Sequence, residues 1–314
     1  MSVFFPIEQV TADLAAHRQR WREAHQRSQE AGGREFPSRS ALARVVQQLK
    51  GVLFPMRLGP HDLLQESENF YVAHALDTAL HQLQVQIALE LRYAQRSQPG
   101  LDERAFGLTR QLALALPDIR RLLDTDVQAA YEGDPAARTV DEVLLCYPGV
   151  LALIHHRIAH QLYRLQLPLL ARIVAELAHS ETGIDIHPGA QIEEGFFIDH
   201  GTGVVIGETA VIGRKVRIYQ AVTLGAKRFV QDEQGNLQKG QARHPIVEEG
   251  VVIYAGATIL GRVTLGAGAV IGGNVWLTHS VPPGAQITQA SLQAEAVTAT
   301  AVKVAPQPVA EVGL

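Results

Sequence analysis

Apolar positions follow two rhythms along the chain, and the change falls near residue 182. In the first part they recur at steps of three and four. Leu76, Leu80, Leu83, Ile87 and Leu91 make a helical stripe that predicts a helix over 69–95. Similar stripes predict helices over 101–123, over 140–165 with an interruption at Pro148, and over 169–179. Residues 12–30 are highly charged with few apolar positions, which predicts a helix facing solvent or a partner. Gly32-Gly33, Pro99-Gly100 and Gly133-Asp134-Pro135 are the natural breaks.

Beyond residue 182 the aliphatic residues recur every six positions. They fall at Ile186, Ile192 and Ile198, then at Ile206, Ile212, Ile218 and Leu224, and resume at Val247, Ile253, Ile259, Leu265, Ile271 and Leu277. A small or β-branched residue stands two positions before most of these, as at Ala190, Ala210, Val216, Val251, Ala257 and Ala269. A six-residue period fits neither one face of an α-helix nor a hairpin sheet of period two. It fits a triangular solenoid in which each hexad supplies one short parallel strand and one corner, with the anchor inward. Thirteen anchors make a little over four coils. The expected organisation is a helical extension over 1–60, a helical domain over 61–182, a β-helix over 183–285 and a tail over 286–314. The fold class is thus α+β, an N-terminal α-helical domain followed by a parallel β-helix.

The repeat breaks twice, and breaks in a repeat are where function is usually carried. The stretch Asp199-His200-Gly201-Thr202-Gly203 holds a two-residue excess, and 226–246 is a long polar excursion ending in Ala242-Arg243-His244-Pro245. Ile186 and Ile206 are three hexads plus that excess apart, so they should stack on one face, with the corner of His200 over that of Asp185. Neighbouring strands lie about 4.8 Å apart, a gap that a carboxylate and an imidazole can bridge. An Asp bonded to one ring nitrogen fixes the tautomer and leaves the other nitrogen to accept a proton from a hydroxyl. No nucleophile is built in, which suits direct acyl transfer to a bound alcohol. Arg243 suits bidentate binding of a carboxylate, and His244 suits contact with a substrate hydroxyl. His155, His156 and His160 crowd one helix without an acidic partner in register and read as packing or polar-surface residues. His187 and His279 read as structural, and Cys146, in an apolar run, as a buried inert thiol.

Composition narrows the classes. With 46% hydrophobic residues over 314 positions the chain can bury a sizeable core. Lys+Arg 28 against Asp+Glu 32, a net charge of −4, argues against a nucleic-acid binder. The most apolar window, 143–154, is interrupted by Tyr147-Pro148-Gly149 and is too short to cross a bilayer, and MSVFFPIEQV has no secretory signal pattern. The single cysteine excludes an intramolecular disulfide or an all-cysteine metal cage and fits a reducing, cytoplasmic setting. Walker and strand-linked G-x-G-x-x-G motifs are absent.

The stretch Gly183-Ile-Asp-Ile-His-Pro-Gly-Ala190, with Phe197-Ile-Asp-His-Gly-Thr-Gly203, Val205-Ile-Gly-Glu-Thr-Ala210, Val222-Thr-Leu-Gly225 and Arg243-His-Pro245, resembles the serine O-acetyltransferases. The resemblance is clear from about Tyr147 to Pro283. It implies a left-handed β-helix, acetyl transfer from acetyl-CoA to L-serine in cysteine biosynthesis, and no metal. By motif, His200 would be the general base and Asp185 its partner. Asp199 would meet the serine ammonium, Arg243 its carboxylate, His244 would line the pocket, and Asp134 would reach it from the helical domain. Gly225, Ala226, Ala255 and Gly273 would match positions that bind CoA. The family also implies a homo-oligomer, a trimer or a dimer of trimers, with sites between subunits. Three features depart from it: a longer excursion over 227–241, the extension through about residue 60, and an end at Glu311-Val-Gly-Leu314. Many members dock on O-acetylserine sulfhydrylase through a terminal Ile, so that partnership stays open here, as does feedback inhibition by cysteine. Rival readings are the same fold acetylating homoserine, a sugar or an antibiotic, a zinc lyase resembling gamma-class carbonic anhydrase, and a non-enzymatic scaffold. The zinc lyase would need three converging solenoid histidines.

Overall fold

The computed structural model describes residues 5–25, 36–94, 99–228 and 232–291. The tail with Leu314, and residues 26–30 of the first expected helix, lie outside the described residues. Helix α1 (Ile7–Ala24) begins just after Pro6, earlier than the charge pattern suggests. It forms a unit of its own, and none of its residues is buried.

The second unit begins at Pro37, so the helices that follow belong to the main core. They are α2 (Arg39–Leu53), α3 (Pro55–Leu58), α4 (Glu68–Ala94), α5 (Leu101–Gly133), α6 (Val140–Cys146), α7 (Pro148–Arg164) and α8 (Pro168–Thr182). The sequence pattern missed α2. Ser38 caps it, and Leu42, Val45, Val46 and Leu49 bury one face against α4 and α8. Helix α5 runs ten residues past its expected end at Leu123, to Gly133, with Pro117 inside it. Pro148 starts α7 after a one-residue break, as the pattern predicts. The buried Glu90 of α4 accepts from the backbone N–H groups of Leu169 and Leu170, both at 2.9 Å, and so caps α8. That helix stops at Gly183, whose φ of 70° is the left-handed turn that releases the chain into the solenoid. Cys146 is exposed, not buried, because it ends α6 on the side away from the core formed by Val143 and Leu144. His155 and His156 are buried in α7.

The solenoid has three parallel sheets. Sheet 1 is ordered β1 (Asp185–Ile186), β4 (Val205–Ile206), β7 (Thr223–Gly225), β10 (Thr258–Leu260), β13 (Trp276–Leu277). Sheet 2 is β2 (Gln191–Ile192), β5 (Val211–Ile212), β8 (Ile246–Val247), β11 (Thr264–Leu265). Sheet 3 is β3 (Phe197–Ile198), β6 (Arg217–Ile218), β9 (Val252–Ile253), β12 (Val270–Ile271), β14 (Gln286–Ile287). The register is the one the hexads demand: Ile186, Ile206, Leu224, Ile259 and Leu277 form one inward column, and all thirteen anchors are buried. The excursion leaves at the corner between sheets 1 and 2, so β5 still pairs directly with β8. Strand β14 carries the solenoid just past residue 285.

The first coil has no coil beneath it, and the helices satisfy its free backbone. Arg157 of α7 donates to the carbonyls of Ile192 and Glu193. It is held in turn by Asp126 of α5 through a buried fork of 3.0–3.1 Å, and Asp126 accepts from the Phe196 N–H at 3.0 Å. Among the described residues, no helix is long and apolar enough to cross a membrane.

Candidate active site

Two corners border sheet 1, and each collects polar residues. At the corner between sheets 3 and 1, the two extra residues let Asp199–Gly203 bulge outward. His200 takes a left-handed backbone, φ 58°, and its side chain is 72% exposed. Gly201 follows at φ 92°, and a Cβ there would run into Ile184, which explains the glycine beside the histidine. The ring Nδ1 lies 3.8 Å from Asp199 Oδ1. Asp199 is otherwise buried and accepts from Arg217 Nη2 at 2.6 Å. Arg217 also donates to the Gly133 carbonyl at 2.6 Å and lies over the rings of Phe197 and Tyr219. It thereby ties the end of α5 to sheet 3, and Asp134, the next residue, reaches the same corner. The Tyr147 hydroxyl donates to Asp134 Oδ2 at 2.5 Å, holding that carboxyl below its ordinary range and pushing the phenol up to about 12. A cleft of about 820 Å³ lies between α5 and sheet 3, with Gln128, Gly133, Phe197 and Arg217 in its wall.

His200 and Asp185, expected to pair, form no hydrogen bond or ion pair with each other. The stack puts Val205, not His200, opposite Asp185, because Asp185 directly precedes its anchor Ile186 whereas His200 follows the anchor Ile198 by two positions. Asp185 still borders the same corner: the Gly203 N–H, in the His200 loop, donates at 2.9 Å to the carbonyl of Gly183. One ligand atom each of Asp185, Glu176 and His179 lie within 4.8 Å of one another, but Glu176 is already engaged by Arg172 and His179.

The corner between sheets 1 and 2 holds Arg243 and His244, so a single chain does not bring them beside His200. Arg243 Nη2 donates to Glu208 Oε2 at 2.7 Å, and the Tyr163 hydroxyl donates to Glu208 Oε1 at 3.1 Å. That carboxyl is held low by these bonds against its partial burial. His244 is buried, 6% exposed, and its ring lies across Gly207, where a Cβ would fall inside it. Burial and then the neighbouring Arg243 push its pKa down to about 4. His187 occupies this corner one coil below and accepts from the Gly189 N–H at 3.0 Å. Within one chain the solenoid histidines are thus divided, His200 at one corner and His187 with His244 at the other.

Of the CoA-matched positions, Ala255 and Gly273 stack on the corner of His200: the Asn274 N–H, next to Gly273, donates to the Ala255 carbonyl at 2.9 Å. Gly225 and Ala226 lie at the other edge of sheet 1, where β7 ends. The sequence reading did not single out Arg217, Tyr147 or Tyr219. Arg217 carried a signal, a cation directly before an anchor in a place where most hexads carry an uncharged residue.

The profile of the bacterial transferase hexapeptide family (six repeats) matches residues 244–279. The plasmid serine acetyltransferase of Synechococcus elongatus is 57% identical over 267 residues, covering 83% of this chain and 84% of the relative. The serine acetyltransferase of Mycobacterium tuberculosis is 49% identical over 162 residues, 52% of this chain and 67% of the relative. Among solved structures, Entamoeba histolytica serine acetyltransferase 1 in complex with L-cysteine superposes with a TM-score of 0.69 at 40% identity, covering 78% of this chain and 86% of that one. Helices followed by a left-handed parallel β-helix, the repeat, and a relative this similar over most of both lengths lead to one conclusion: the chain belongs to the serine acetyltransferase family.

Proposed function

We propose that the protein acetylates the hydroxyl of L-serine with acetyl-CoA, in the cytoplasm, as a step toward cysteine, and that His200 is the general base. The observation that carries the reading is the exposed imidazole, thrust out of the repeat by its two-residue bulge, with Asp199 at 3.8 Å and Asp134 at the same corner. An amino-acid substrate needs an anion for its ammonium, and Asp199 and Asp134 supply it. It needs a cation for its carboxylate, and Arg243 supplies that from the other edge of sheet 1. Both edges meet one substrate when the corner of one copy faces the corner of the next, which supports a trimer, alone or paired into a hexamer, with sites between copies. In that site the His200 ring takes the hydroxyl proton as the serine oxygen attacks the thioester carbonyl. Backbone N–H groups stabilise the oxyanion, and CoA leaves as the thiol. Asp185, at the edge of the His200 corner, orients the ring once substrate is bound. Ala255 and Gly273 on one copy, and Gly225 and Ala226 on the next, would border the CoA groove. Lys227, Arg228 and Arg262 line a cavity of about 300 Å³ beside Arg243, a cationic surface that suits the phosphates of CoA.

Thiol release from acetyl-CoA, measured with serine, homoserine, a sugar and an aminoglycoside as acceptors, tests the substrate. Serine is expected to be preferred by at least tenfold, and preference for another acceptor would replace it. An Asp185→Asn variant is expected to lower kcat with little change in the KM for serine, whereas Asp199→Asn raises that KM. The reverse pattern would exchange their roles.

A further inference from the structure

His244 is tied to the backbone in a way that determines where its proton sits. The Thr209 backbone N–H points at His244 Nδ1, 3.1 Å away. A backbone amide can only donate, so Nδ1 must present its lone pair. The Thr209 hydroxyl leads to the same result by a separate route. Its oxygen accepts from the N–H of Arg243 at 2.9 Å and from the N–H of His244 at 3.1 Å, which occupies both lone pairs. Its one proton is left to donate, and His244 Nδ1 lies 2.9 Å away. A proton on Nδ1 would face two donors at once, so both the Nδ1–H tautomer and the imidazolium are disfavoured. The charges around the ring act in the same sense: Arg243 beside it and Arg262 from the coil above oppose a positive ring, as does His187 below, and only Glu208 favours one. Gly207, lacking a Cβ, lets the ring lie flat enough to make these contacts.

The geometry points to Thr209 as a positioning residue that locks His244 as the neutral Nε2–H tautomer, so that beside Arg243 it offers the serine carboxylate a fixed hydrogen-bond donor. This assignment of the acceptor rests on the proposed serine reaction; the lock itself does not. It gives the two site histidines opposite duties, since a ring that must donate through Nε2 cannot serve as the base there.

Selective ¹⁵N-histidine labelling of the full chain, with His244→Asn to assign the resonance, reads the tautomer without turnover. At pH 7 the unsubstituted protein is expected to show His244 protonated at Nε2 alone; an Nδ1–H or doubly protonated ring overturns the lock. Thr209→Val is expected to mix the tautomers and to raise the KM for serine about tenfold, with kcat falling less than KM rises, equivalent to about 1.4 kcal/mol. Thr209→Ser is expected to restore both. A Val variant with an unchanged tautomer and an unchanged KM overturns the role of the hydroxyl. Should the protein fail to acetylate serine while the Nε2–H resonance is present, the substrate reading falls and the lock stands.

Discussion

The two edges of sheet 1 carry the same side chain in opposite circumstances. At one edge His200 stands out of a bulged corner, 72% exposed, with the Asp199 carboxylate 3.8 Å from its Nδ1. At the other, His244 is buried, flanked by two guanidinium-bearing residues and bonded to a threonine and a backbone amide. The difference teaches that surroundings assign proton chemistry. An exposed imidazole beside anions can take up a proton and give it back, whereas a buried imidazole beside cations stays neutral and donates.

The sharpest way to break this contrast is to remove each ring. His200→Ala is expected to lower kcat by about 10²–10⁴ with CoA binding retained, the range that general-base assistance supplies. His244→Ala is expected to act mainly on the KM for serine, and equal effects on kcat would erase the distinction. Steady-state kinetics with both substrates decide it.

Acid should also separate the two edges through stability. The His244 pKa is depressed, so its unfolded form, near 6.5, binds a proton that the folded form refuses until about pH 4. The unfolded state is therefore favoured as pH falls from about 6.5 to 4, by up to about 3 kcal/mol. Denaturant unfolding across that range should show a loss that is smaller in His244→Asn. Buried His156, also depressed by desolvation, adds a loss of the same sign that this variant leaves in place.

Whether the edges form one site can be read by complementation. His200→Ala and Arg243→Ala, each nearly inactive, should regain about a quarter of wild-type activity when unfolded together and reassembled, as random mixing around a ring predicts. No recovery, with the unsubstituted chain regaining activity under the same treatment, would overturn a site shared by His200 and Arg243. The smallest expected effect is that of Glu208→Gln, which weakens the hold on Arg243 and should raise the KM for serine several-fold.

Most of the solenoid was legible because its information is local. A hexad declares its strand and corner within six residues, and the stacking of Ile186 on Ile206 follows by counting. The bulge at His200 was legible for the same reason, as a miscount. What counting could not give is where the ring points: the bulge exposes His200, and its Nδ1 lies near Asp199 while Val205 holds the place opposite Asp185. Nor could it give Arg217, whose meaning depends on α5 ending beside sheet 3, or the reach of α5 through Pro117. The missed α2 shows a further gap, since its apolar face covers only part of fifteen residues and makes sense only against α4. Thr209 lay within a recognised stretch, yet its bonds to a residue 35 positions away exist only after the excursion is closed.

The fork of Arg157 and Asp126 under the first coil has a consequence for how the chain assembles. Stacked repeats grow by adding each rung to a completed one, and the lowest rung has nothing to add to. Here two side chains from α5 and α7 hold the lowest rung's amide and carbonyl groups in place. The helices thus act as the mould for the first turn, and winding of the prism should begin at that end and travel toward β14.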